Sequence, residues 1–331
     1  MKIMMVSSEV LPFAKAGGLA DVSGSLPRAI KNAKQEIRLI VPGYRAAVAA
    51  AGSLKAVAEL VLPGPGTPVR ILQGSLPQTR VRLYLVDAPE YFDRPGGPYS
   101  TPEGKDWPDN AARFALFGRA VCEIAMGRAG LDWNPDLVHC NDWQTGLVPA
   151  LLSREAEPPA CVFTIHNLAY QGLFSRTEFQ ALDLPAQWWS MNCLEFHDQM
   201  SFIKGGLIFS DWITTVSPTY AREVLTPLGG HGLDGALQAR VGQLSGVLNG
   251  IERICEQSGI DPTAVRIRHE ETRDSQPAGP RALRPHGALG ETRGQALGRD
   301  PVHSDPGHAV MVDGALPQET RRAVGGLAHD P

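Results

Sequence analysis

Several things are scarce in this 331-residue sequence. No apolar run approaches the roughly 20 residues that a membrane-spanning helix needs. The opening Met1-Lys2-Ile3-Met4-Met5-Val6 is too short for a signal peptide, and no small-residue cleavage site follows it. A soluble, cytoplasmic protein without membrane partners is expected. Neither sign of charge is in large excess. The formal net charge is −4, whereas a nucleic-acid binder carries a basic surface. No C-x-x-C pair occurs among the five cysteines, Cys122, Cys140, Cys161, Cys193 and Cys255. Their odd number and wide spacing argue against a zinc site or a disulfide framework, and for buried thiols in a reducing compartment. No metal and no cofactor is expected. The P-loop and the G-x-S-x-G nucleophile elbow are both absent, which removes P-loop nucleotide chemistry and serine-hydrolase chemistry.

Two further absences divide the chain. No Phe, Trp or Tyr follows Tyr220, and no Lys follows Lys204. From about Glu252 onward the residues are mostly Arg, Gly, Pro, Ala and His, with five of the nine histidines. Such a segment cannot bury enough apolar surface to offset chain entropy. Residues 252–331 are therefore expected to be largely disordered, and their composition matches a GC-rich gene read out of frame.

Residues 1–251 are different. Short apolar runs predict strands at Ile3–Ser7, Ile37–Val41, Val81–Val86, Asp136–Cys140, Val162–His166, Trp212–Val216 and Val247–Asn249. Helices are predicted at Ala20–Lys34 and Asp109–Gly127, the second with Phe114, Phe117, Val121 and Ile124 at helical spacing. Strands separated by helices imply an α/β fold, a doubly wound, mostly parallel sheet covered on both faces.

Ligands of such sheets bind beyond the carboxyl ends of the strands, so the residues there are the site candidates. After the first strand come Lys15-Ala16-Gly17-Gly18-Leu19-Ala20-Asp21. Two glycines before a helix let a ligand approach the backbone, with free N–H groups and Lys15 suited to an anion. Asp21 can accept from sugar hydroxyls. An ordinary tight turn explains the same residues equally well. Asn141-Asp142-Trp143 follows the strand at Asp136–Cys140. An acid beside a flat aromatic suits a sugar, but a helix cap with a core Trp is the commoner arrangement. His166-Asn167 ends the strand at Val162, and Asn249-Gly250 the last one. His139, inside a strand, reads as a packed histidine. Gly230 to Gly235 spells G-x-G-x-x-G but follows the end of a helix, so it is rejected as a dinucleotide site. The agreement of Lys15, Gly18, Asp21, Asp142, His166 and Asn249 on one rim favours a site for sugar hydroxyls and an anion.

These residues also carry a resemblance. Lys15-Ala16-Gly17-Gly18-Leu19-Ala20-Asp21-Val22 is similar to the K-x-G-G-L-A-D-V signature of bacterial glycogen synthases and plant starch synthases. The likeness continues through Asp93–Tyr99, His139–Trp143, Phe163–Gly172, Val216–Ala221 and Leu244–Gly250, covering residues 1 to about 251. It implies the N-terminal half of a GT-B glycosyltransferase, Rossmann-like, facing a second domain across a cleft. It implies transfer of glucose from ADP-glucose to the non-reducing end of α-1,4-glucan, with retention and without a metal. Lys15 and Gly18 would lie near the donor's diphosphate and glucose, and Asp21 and Asp142 would orient sugar hydroxyls. His166 would contact the donor glucose, with Tyr99 and Asn249 lining the same pocket. His166 and Asp142 are thus the catalytic candidates. In the family the second domain adds an Arg and a Lys on the diphosphate and a Glu-x7-Glu pair. No Glu-x7-Glu follows Asn249 in this chain. Glucose transfer by this polypeptide is therefore expected to be impaired. The alternatives are a non-catalytic glucan-binding fragment or partner of an intact synthase, a transferase using another sugar nucleotide, and a nicotinamide dehydrogenase, which lacks its glycine fingerprint at the first strand.

Overall fold

The computed structural model describes residues 1–62, 68–77 and 79–249. The expected disorder of residues 252–331, and Cys255 with it, lies outside the described residues. The chain runs through β1 (Lys2–Val6), α1 (Leu19–Asn32), β2 (Glu36–Pro42) and α2 (Arg45–Ala50). A hairpin of β3 (Lys55–Val61) and β4 (Pro68–Ser75) precedes β5 (Arg82–Asp87). The short α3 (Pro89–Phe92) and the long α4 (Asn110–Ala125) lead to β6 (Leu137–Asn141), α5 (Leu147–Leu152) and β7 (Ala160–Ile165). Next comes a small antiparallel sheet of β8 (Leu173–Phe174), β9 (Glu195–Phe196) and β10 (Gln199–Ser201), with α6 (Arg176–Ala181) between its strands. The described elements end with α7 (Phe202–Phe209), β11 (Trp212–Thr215), α8 (Pro218–Glu223), α9 (Asp234–Ala239) and β12 (Leu244–Gly246).

Among the described residues the main sheet has nine strands in the order β12-β11-β7-β6-β1-β2-β5-β4-β3. Neighbours from β12 to β5 are parallel. Only the β5-β4-β3 edge is antiparallel. The doubly wound, mostly parallel sheet expected from the sequence is therefore present. The hairpin is an addition that the apolar runs did not signal, because β3 alternates weakly and is only partly covered. The last strand also lies three residues earlier than expected. Its ladder with β11 ends at the pair Thr215–Gly246, because β11 itself ends there. Val247 and Asn249 still donate from their backbones to Thr215 and Val216, but as an exit loop.

The centre is built from residues with no polar alternative. Met4, Met5 and Val6 of β1 are fully buried, as a strand covered on both faces requires. Phe114, Phe117, Val121 and Ile124 all face inward from α4. Each such side chain contributes about 1.5–3 kcal/mol by leaving water. Arg113, also buried, is satisfied by the carbonyls of Tyr91 and Pro98 and by Asn110 Oδ1. Asn110 Nδ2 in turn donates to the Tyr99 carbonyl. The start of α4 thus holds the loop that carries Tyr99.

α7 packs directly on the backbone of its neighbours. A Cβ on Gly146 would lie 1.9 Å from the Phe202 carbonyl oxygen, and one on Gly206 would lie 2.3 Å from the Phe163 ring. Neither position has a slack neighbour. Gly146→Ala is expected to lower the unfolding free energy by about 1–3 kcal/mol through overpacking, read by urea denaturation; a variant as stable as the parent would refute so close an approach.

Candidate functional site

β1 is followed by β2 on one side, whereas the crossover through α4 delivers β6 to its other side. The chain therefore leaves the carboxyl ends of β1 and β6 in opposite directions. A crevice opens at that point in doubly wound sheets. The loop Ser7–Gly18 flanks it on the β1 side, and Asp142 and His166 flank it on the β6 and β7 side.

On the β1 side the glycine loop is held from behind by Glu9, which is 4% exposed. Glu9 Oε2 accepts from the backbone N–H groups of Ala16 at 2.6 Å and Gly17 at 2.8 Å. Oε1 accepts from the Tyr99 hydroxyl at 2.7 Å, and that hydroxyl accepts from Ser8 Oγ at 2.7 Å. These two amides precede Gly18, the residue before α1, so the N–H groups expected to be free at the start of that helix are not the ones Glu9 occupies. A buried carboxylate needs donors, and two of the loop's amides supply them. Lys15 Nζ and Asp21 Oδ2 form an exposed ion pair at 2.9 Å, so these two candidates face each other across the loop. Gly18 stands at the N-terminus of α1, its carbonyl accepting from Asp21 and Val22. Gly17 has no left-handed backbone angle, and a Cβ there would meet nothing within 4 Å. The fold itself does not require a glycine at that position. Burial, with the Glu9 charge adding to it, pushes the Tyr99 phenol well above its usual range.

On the β6 side Asp142 has φ 58° and ψ 178°, a conformation that non-glycine residues rarely adopt and that costs about 1–3 kcal/mol. Asp142 does not cap the short helical turn that follows it. Its Oδ1 instead accepts from the backbone N–H of His166 at 2.7 Å and, more weakly, of Asn167 at 3.4 Å. This pins the exit of β7 to the exit of β6. Burial raises the Asp142 carboxyl to about 7, against the two N–H bonds that lower it; the Glu9 charge adds to the rise. Trp143, next in the chain, packs among Tyr99, Phe114, Phe174 and Phe202, with centroids 5.1–6.4 Å away. It is the core aromatic of the commoner arrangement.

His166 Nε2 lies 3.0 Å from Asn141 Oδ1. Asn141 uses its Nδ2 on the Val6 and His139 carbonyls. Oδ1 is thus an acceptor, which fixes the neutral His166 tautomer with its proton on Nε2. Burial, with His139 nearby, lowers the His166 pKa to about 3. His139 bonds Thr164 Oγ1 at 2.7 Å inside the sheet and is a packed histidine. Asn249 lies beyond β12 on the same rim, two strands from β7 and so about 10 Å away. Lys15, Gly18, Asp21 and Tyr99 thus share one loop system, Asp142 and His166 a second, and Asn249 stands apart. Glu9 and Asn141 were missed as site residues. The signal for Glu9 was an acid three residues past the apolar run Ile3–Val6. Gly230–Gly235 follows α8 and opens α9, with no strand before it, as the rejection required.

With the site's geometry in hand, the class is that of a doubly wound α/β protein with polar groups at its switch point. A sequence model described as starch synthase catalytic domain matches residues 2–239. The chain is 57% identical over 253 residues to the glycogen synthase of Thioalkalivibrio sulfidiphilus, covering 76% of this chain and 52% of that one. It is 53% identical over 262 residues to glycogen synthase 1 of Methylococcus capsulatus, covering 79% and 52%. Among solved structures, the catalytic domain of starch synthase IV from Arabidopsis thaliana, bound to ADP and acarbose, superposes with a TM-score of 0.64 at 30% identity, over 75% of this chain and 51% of that one. The chain belongs to the glycogen and starch synthase family of glycosyltransferases, and its fold matches the GT-B half the resemblance implied. It spans about half the length of the relatives it matches.

The raised Asp142 pKa fixes the sign of a pH effect. The folded chain retains a proton there that the unfolded chain, with the ordinary carboxyl value of 3.8, releases. Asp142 therefore costs stability as pH rises from about 4 to about 7. His166 and His139 act oppositely, since their lowered values remove stability as pH falls below 6.5. Asp142→Asn keeps the Oδ1 acceptor and does not titrate, and the histidine effects cancel between variant and parent. Its stability relative to the parent is expected to increase from pH 5 to pH 8 in urea melts; a constant difference would show that Asp142 is ionised throughout.

Proposed function

We propose that residues 1–251 form the N-terminal, acceptor-side wall of the cleft of an ADP-glucose-dependent glycogen synthase. The observation that carries this reading is the pairing of two loop systems across the switch point. Lys15 and Asp21 stand on one side, and Asp142 holding the His166 backbone stands on the other. The relative bound to ADP and acarbose supports a nucleotide and a glucan-like sugar as the ligand classes.

In this reading Lys15 and the Gly17–Gly18 backbone meet the donor's diphosphate, the Lys15–Asp21 pair opening to do so. Asp21 and Asp142 take sugar hydroxyls, and Asn249 and Tyr99 bound the pocket. His166, neutral and held by Asn141, contacts the donor glucose as a dipole and not as a proton source. Stabilisation of the leaving diphosphate by oriented dipoles and cations would carry much of the rate, and no metal or cofactor is called for. Glucose passes from ADP-glucose to the non-reducing end of α-1,4-glucan with retention. Buried, unpaired thiols at Cys122, Cys140 and Cys161 suit a cytoplasmic setting.

The described residues supply one wall of the cleft, and positioning of donor against acceptor needs both. The 331 residues alone are therefore expected to be retained on a glycogen affinity gel and to incorporate no labelled glucose from ADP-glucose into glycogen. This is the glucan-binding alternative in its simplest form. Steady incorporation would refute it, and absence of both retention and incorporation would refute the family reading of the site. Gly17→Ala is expected to melt with the parent, since its Cβ meets no protein atom, and to weaken ADP binding about tenfold by standing where the diphosphate lies. Unchanged ADP affinity would remove the glycine loop from the donor site.

A further inference from the structure

Glu9 is buried, yet its carboxylate bonds both the glycine loop and the loop that carries Tyr99. Its main chain is fastened first. Ser7 Oγ donates to the Glu9 carbonyl at 2.7 Å and accepts from the Glu9 N–H at 3.3 Å. Ser7 Oγ also lies 2.8 Å from Ser23 Oγ on α1. The side chain then takes the Ala16 and Gly17 amides on one oxygen and the Tyr99 hydroxyl on the other. A glycine loop left to itself samples many backbone conformations. Backbone bonds between Val10 and Ala14 and from Leu11 to Ala20 hold the first half of the loop; bonds to a carboxylate are roughly twice as strong as bonds between neutral groups, so Glu9 is the anchor of its glycine end. It holds the loop by its inner edge and leaves the Cα face of Gly17 bare.

We propose that Glu9 is the positioning residue of the donor side: its carboxylate fixes the Lys15–Gly18 loop and Tyr99 in one arrangement so that a nucleoside diphosphate meets a formed surface. This rests on the donor-site reading given above. Glu9 acts through the loop and takes no part in bond making.

The test compares Glu9→Ala and Glu9→Gln with the unaltered 331-residue chain, using ADP as the probe. Gln keeps a carbonyl oxygen for the two loop amides, and its NH2 group can donate to Tyr99, whose hydroxyl then turns to Ser8. Three readouts are taken: amide hydrogen exchange at Ala16 and Gly17, thermal midpoint, and ADP affinity by equilibrium dialysis. In Glu9→Ala, exchange at both amides is expected to rise about tenfold and ADP affinity to fall about tenfold. Glu9→Gln is expected to recover most of both while melting close to the parent. A lower midpoint in Glu9→Ala with unchanged ADP affinity would mark Glu9 as merely structural and overturn the proposal. Unchanged exchange at Ala16 and Gly17 would overturn it as well. If the unaltered chain binds no ADP, while exchange still responds to Glu9→Ala, it is the donor-site reading that fails, and positioning for a donor fails with it.

Discussion

A carboxylate taken out of water must be given hydrogen-bond donors, and this constraint shapes both sides of the crevice. Glu9 finds its donors in the Ala16 and Gly17 backbone and the Tyr99 hydroxyl. Asp142 finds its donors in the backbone after β7. Glu9 ties its own loop to the one after α3, and Asp142, at the end of β6, captures the loop leaving β7. Four loops, after β1, α3, β6 and β7, are thereby cross-tied at the carboxyl end of one sheet. The sheet itself does not depend on those two acids, because its strands are held by apolar burial and ladder bonds; the acids act on its rim.

The two acids differ in how they are kept. Glu9 is fully invested, with both oxygens engaged. Asp142 engages one oxygen and keeps a strained backbone. Strain of this kind persists where surroundings over-determine it, and such places cluster at sites of binding and catalysis. The bond from Asn141 to His166 adds the last fixed element, a neutral imidazole with a defined tautomer. The crevice thus presents preset dipoles, and the cation of its glycine loop, Lys15, is already balanced by Asp21.

Much of this was readable from residue order. The buried central strands and α4 announced themselves because Met4, Met5, Val6, Phe114 and Phe117 leave no polar alternative. The rim candidates followed from strand ends. The β3–β4 hairpin was not readable, since a half-covered edge strand such as Lys55–Val61 keeps its apolar pattern weak. Nor was the displacement of the last strand, because Leu244 to Asn249 is apolar enough to extend at either place and its neighbour β11 decides. Glu9 and Asn141 escaped for a different reason. Their importance lies in partners 7 to 135 residues away, and no local pattern reports a partner at that separation. The ion pair between Lys15 and Asp21 was not readable either, since each reads singly as a group facing a ligand.

The bare face of Gly17 has a practical side. At Gly17 the backbone is anchored by Glu9 while the side-chain direction is empty. A cysteine placed there would carry a fluorescent or spin reporter at the mouth of the crevice. Cys122, Cys140 and Cys161 are buried, so Cys193 is the one competing thiol among the described residues. Signals from such a reporter would follow the filling of the crevice directly, with no enzymatic turnover needed to see it.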